Sequence, residues 1–110
     1  MTNGDRILLT TAEDLKDRKI VKTIGLVKGS TIRARHIGKD IQALLRNVVG
    51  GEVKEYTQLM AESREQAIER MTAEAKNVGA NAVVGVRFTT SMVMSGAAEF
   101  LVYGTAVVVE

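Results

Sequence analysis

The stretch GANAVVGVRFTT, residues 79–90, sets a glycine and an asparagine between a run with helical spacing and a run with strand spacing. Upstream, Val53, Tyr56, Met60, Ala67, Met71, Ala75 and Val78 recur at intervals that place them on one side of a helix, predicted over Glu52–Val78 and roughly 40 Å long. Gly79 stands where a left-handed cap ends such a helix, since glycine reaches positive φ without a side-chain clash. Downstream, Asn81–Thr90 reads as a strand with Ala82, Val84, Val86 and Phe88 opposed to Val83, Gly85, Arg87 and Thr89. A long helix reversing tightly into a strand is the signature of an α+β chain.

Two readings of the helix interior stay open. Glu62–Gln66 carries no apolar residue, and Ser63 with Gln66 fits a capping box, which would divide the segment into two helices. No glycine or proline interrupts it, and a single helix is the favoured reading.

Working outward, Ile7–Thr11 is a short β-prone run followed by a polar loop or single turn, TAEDLKD. The stretch from Ile20 to Ala34 alternates like a strand with one partly solvated face, with Lys28-Gly29-Ser30 as a turn or bulge within it. Ile37, Ile41, Leu44, Leu45 and Val48 make the stripe of a short helix ended by Gly50-Gly51. Glu99–Val109 is a further strand, joined to the preceding one through SMVMSGA. The expected fold is an antiparallel sheet packed by one long helix, a β-α-β-β core with an extra short N-terminal strand and helix. A length of 110 residues fits one domain, 1–110.

The last strand is apolar on both sides. Phe100, Val102, Ala106 and Val108 oppose Leu101, Tyr103, Val107 and Val109, so both faces require cover. One long helix covers one face, and a monomer would leave an apolar patch of roughly several hundred Å² in water. Self-association with closed symmetry removes it. Gly85 and Gly104, inside strands, read as packing or subunit-contact positions.

Composition narrows the chemistry. There is no cysteine, which excludes disulfides, thiolate catalysis and sulfur-ligated zinc or iron–sulfur sites. The formal charge of +2 does not call for nucleic acid. The N-terminal residues lack the pattern of a secretory signal, and the apolar stretch Phe100–Val109 is about half of a membrane span. The expected setting is the cytoplasm, with no membrane partner.

The blocks RARHIGKDI (33–41), NVVGGEVKEYTQLM (47–60), ESREQAIERM (62–71), GANAVVGVRF (79–88) and EFLVYGTAVVV (99–109) resemble the YbjQ-like family, small bacterial and archaeal proteins that carry a heavy-metal-binding label. The likeness spans nearly the whole chain in order. It implies a dodecin-like α+β subunit assembled as a ring of five. It assigns no ligand residue here, and Ser91–Ser95, with its Met-x-Met, departs from the family pattern.

Each candidate group has a plain structural reading beside its chemical one. His36 is the single histidine, so one chain cannot bind a metal through two imidazoles, although symmetry copies could gather several; a partly exposed residue at a helix start is the plainer role. Met92 and Met94, two apart in a strand, would turn both thioethers to one side as Cu(I) ligands, or act as apolar filler. Gly50-Gly51-Glu52 at a helix start offers amide donors to a small anion, or simply punctuates the chain. Arg33, Arg35, Lys39 and Arg46 form a basic cluster without interleaved aromatics, better suited to salt bridges than to RNA. Glu62, Glu65, Glu69 and Glu74 read as a solvated face, and Tyr103 as a buried tyrosine with a satisfied hydroxyl.

No nucleophile is paired with a base, so an enzyme is not expected. The expectation is a ring-forming protein, a homopentamer as the resemblance implies, that binds a metal ion or other small ligand between subunits, or else a structural or protein-interaction module. Catalytic and cofactor residues are assigned to none, and metal ligands stay unknown.

Overall fold

Helix α1 (Lys54–Asn77) is a single unbroken helix. Ala67, Met71 and Ala75 are fully buried on one stripe, and Ser63 is fully buried one turn earlier on the same side. A small buried hydroxyl continuing the stripe leaves no room for a break there, which removes the two-helix alternative. The computed structural model describes residues 6–33, 54–94 and 97–110. The expected short helix Ile37–Val48 and the first two residues of the expected long helix, Glu52 and Val53, lie outside the described residues.

The remaining elements are β1 (Leu8–Leu9), β2 (Ile20–Arg33), β3 (Ala82–Met94) and β4 (Ala97–Val109). They form one sheet in the order β1-β3-β4-β2. The β2–β4 and β3–β4 pairs are antiparallel, whereas β1 runs parallel to β3, so the sheet is mixed rather than purely antiparallel as the sequence suggests. The reason is the connection: the chain leaves β1 and returns to the sheet at its far edge, β2, before α1 leads it back beside β1.

Two further expectations change. SMVMSGA is not a loose connection, because β3 runs on to Met94 and β4 starts at Ala97. Lys28-Gly29-Ser30 is neither a turn nor a bulge; β2 is continuous through it, and its irregularities lie at Ile20/Lys22 and Thr23/Gly25. Gly29 instead seats the helix. A Cβ at Gly29 would run into the Ala67 carbonyl and the Met71 amide of α1, so this backbone approach excludes any side chain. Beside it, the Lys28 amide donates to Glu74 Oε1 at 2.7 Å and Arg70 Nη1 donates to the Ser30 carbonyl at 2.6 Å. The helix thus packs over β2 and caps its outer edge.

An extra residue in β3 redistributes its side chains. The register passes from Val84↔Thr105 to Arg87↔Tyr103, a bulge at Gly85-Val86, with Gly85 at φ +63. Strict alternation would put Val84 and Val86 on one face. The bulge instead turns Val83 and Val86 toward α1, with Val27, Val102 and Ala106, and turns Ala82 and Val84 to the other face, with Val107 and Val109. Gly104, paired with Val27, leaves space for the Val83 side chain and the Val84 carbonyl, so its role is packing within the chain.

The second face is less bare than the sequence implies. Residues 10–19 form a strap across it, and Leu15 with Ile20 packs on Ala82, Val84, Val107 and Val109. Arg87 ties the strap down through Nη1 to the Thr11 carbonyl at 2.9 Å and Nη2 to Glu13 Oε1 at 3.2 Å. Both side chains are exposed, so this ion pair contributes at most about 1 kcal/mol. Beyond the strap, the same face leaves Leu26 70% exposed and Ile32 and Tyr103 also exposed.

The GAN hinge divides its work. Gly79 takes φ +89 with nothing within 4 Å of where a Cβ would be, so only backbone conformation selects glycine. Asn81 acts as an extra length of strand: its Nδ2 donates to the Val109 carbonyl at 2.9 Å, and its Oδ1 accepts from the Val109 amide at 2.8 Å.

Three outcomes follow. Gly79→Val should destabilise by ~1–2 kcal/mol and Gly79→Asn by clearly less, because Asn tolerates the left-handed region; equal losses in urea unfolding would overturn the assignment. Gly29→Ala should cost ~1–3 kcal/mol through overpacking against the helix backbone, and an unchanged unfolding midpoint would contradict the close seat. Asn81→Ala should lose ~1–3 kcal/mol by leaving the Val109 amide and carbonyl without partners; faster hydrogen exchange at the Val109 amide would identify the cause.

Candidate functional site

The functional candidates among the described residues fall into three separate places. The first is the far end of the β3–β4 hairpin. Phe88 and Met92 sit there on the helix side of the sheet, opposite Val102 and Ala98, and are 49% and 71% exposed. Met92 and Met94 do not share a regular alternation, since the register slips between Met92↔Ala98 and Met94↔Ala97. The Met94 side chain, and with it the expected pair of thioethers on one side, lies outside the described residues.

The second place is the outward flank of α1. Glu62, Glu65 and Glu69 line an open groove of about 420 Å³ with Ala61 and Gln66. Gln58 Nε2 donates to Glu62 Oε2 at 3.2 Å, one turn apart on the helix. Glu74 is separate from them, spent on the Lys28 amide. The sequence groups these four carboxylates; the structure divides them into three on a solvated groove and one that closes a strand edge.

The third is a row across the open sheet face. Tyr103 pairs with Lys28 on one side and Arg87 on the other, which sets an exposed phenol between two cations. Arg87 is committed to Glu13 and Thr11 and also donates to the Val86 carbonyl at 3.0 Å. Spacing did not reveal this row, because it depends on registers between three strands; the exposed Tyr103 also departs from the buried position expected of it.

Of the remaining candidates, Arg33 ends β2, paired with Ala98. His36, Arg35, Lys39, Arg46 and Gly50-Gly51-Glu52 lie outside the described residues.

For a heavy metal, soft donors matter most. The chain has no thiolate and one imidazole. Among the described residues no three His, Asp or Glu side chains come together as a ligand set. The one buried side-chain oxygen found without a partner there is the Thr31 hydroxyl, a hard donor under the helix. Within a single chain, the described residues do not fit a soft-metal site. No helix among them is long and apolar enough to cross a membrane.

Comparison with known proteins gives these features a family. A UPF0145 protein of Dehalococcoides mccartyi is 61% identical over 104 residues, covering 94% of this chain and all of the relative. A UPF0145 protein of Archaeoglobus fulgidus is 54% identical over 101 residues, covering 92% of this chain and 94% of its own length. Among solved structures, a protein of unknown function of the DUF74 family from Pediococcus pentosaceus superposes with a TM-score of 0.58, covering 94% of this chain and 98% of its own. At 12% identity that likeness concerns the fold alone. The model of the YbjQ family, described as "putative heavy-metal-binding", matches residues 7–110, and the chain belongs to that family.

Proposed function

We propose that this protein is a non-enzymatic binder of a metal ion or other small ligand that works as a closed homo-oligomer, with its site at the joint between copies. The supporting observation is the apolar surface left open beyond the helix and strap: Leu26, Ile32, Phe88, Met92 and Tyr103. Such surface calls for a partner. The family description supports a metal as ligand, and the donor inventory of one chain supports sharing it. Symmetry multiplies what one chain holds once, so several copies of His36, or of the Met92 thioether, would supply a set no monomer has. A ring of five is the arrangement the sequence resemblance implies. The cytoplasm is the setting proposed for it, acting as a single domain without nucleic acid or membrane.

A module that only joins proteins is the competing reading, favoured by the same open surface. Native mass measurement combined with equilibrium dialysis against a metal panel separates them. The binding reading expects an assembly that retains an ion at micromolar concentration, at fewer than one ion per chain. Retention of none favours the interaction module, and one-to-one retention by a monomer overturns the shared site.

A further inference from the structure

Backbone groups at two places along the sheet edges are bound by other parts of the chain, and they fix which way the remaining groups point. On β2, the Lys28 amide and Ser30 carbonyl point away from β4, because side chains of α1 bind them. Gly29 between them therefore faces its partner Val102. Val102 then turns its own backbone groups to β2, while Leu101 and Tyr103 turn theirs to Thr89 and Arg87 of β3. It follows that Val86, Phe88, Thr90 and Met92 present their amides and carbonyls outward. The Val86 amide agrees: it donates to the Thr10 carbonyl of the strap at 3.0 Å.

The strap stops there. Leu8 and Thr10 donate to the Asn81 and Val83 carbonyls, and Gly85 and Val86 donate to Ala12 and Thr10, so the chain's own N-terminal segment occupies the edge up to the bulge. From Phe88 to Met92 no described residue takes the outward groups. Soluble proteins protect a bare edge with charge, proline or a bulge. Here the run is Phe-Thr-Thr-Ser-Met, without charge or proline, and regular in register from Arg87 to Met92.

We infer that the outward edge Phe88–Met92 of β3 is a strand-pairing seam that receives an extended segment of a second copy of this chain. This rests on the assembly reading above. A copy is the fitting occupant for two reasons. The seam lies just past the bulge on the same edge of β3 along which a segment of this same chain already lies in strand pairing. An uncharged edge also lets a copy approach its own kind without opposing like charges. Phe88 and Met92, both exposed on one side of the seam, then gain cover as Thr90 gains a backbone partner.

Thr90→Pro tests it. Thr90 donates nothing to β4, so proline there removes an outward amide while sparing the ladder within the chain. The expected result is a native mass reduced to a single chain, with unfolding of the dilute monomer still cooperative. Thr90→Lys, which keeps the backbone intact, should weaken association in the same direction and serves if the proline variant does not fold. In the wild-type assembly, the Thr90 and Met92 amides should exchange at least about tenfold more slowly than in the dissociated chain. An assembly whose mass is untouched by Thr90→Lys, or whose Thr90 and Met92 amides exchange freely, overturns the seam and leaves self-association standing. A wild-type protein that is monomeric at every concentration overturns both.

Discussion

One added residue in β3 governs how the layers of this protein divide the apolar side chains. Without the bulge at Gly85-Val86, Val83 and Val86 would face opposite ways and neither layer would be filled. With it, α1 receives Val83 and Val86, and the strap receives Ala82 and Val84. The two consecutive amides of the bulge also turn to the same side, where Ala12 and Thr10 accept them. The bulge therefore fixes both what lies above and below the sheet and where the N-terminal segment ends its run along the edge. Positive φ at Gly85 is what makes the extra residue inexpensive.

Helix α1 was legible because burial of one side imposes a period that single residues cannot disguise: Ala67, Met71 and Ala75 lie where the spacing puts them. Gly79 was legible for a similar reason, since a left-handed cap leaves few alternatives. The strand faces were not. A period of two has no redundancy, so each slip exchanges the faces beyond it, and β2 and β3 both slip. Leu26 shows the effect: alternation groups it with Ile24, yet after the irregularity at Thr23/Gly25 Ile24 packs in the core and Leu26 is open to water. Gly29 was misread for a different reason. A glycine that admits a helix backbone and a glycine that makes a turn look alike until the partner element is placed.

The candidate site was less legible than the fold. Spacing along one chain reports neighbours on one element, whereas the groups of interest here are set by pairing across elements. Four glutamates form one helical face by sequence, but Glu74 serves β2. Lys28, Tyr103 and Arg87 are remote in sequence and adjacent in the sheet. What the sequence did disclose was chemical inventory: with no cysteine and one histidine, soft donors other than thioethers are scarce within one chain.

That inventory ties the proposed ligand to the proposed assembly by mass action. A site whose donors come from several copies exists only in the assembled state, so an ion bound there stabilises assembly and assembly raises affinity for the ion. The coupling is reciprocal, whichever event comes first. A chain that carried all its donors itself would show no such dependence on protein concentration. The open edge of β3 and the scarcity of soft donors, unrelated as sequence features, thus bear on one equilibrium: the first supplies a means of bringing copies together, and the second supplies a reason why a ligand would require it.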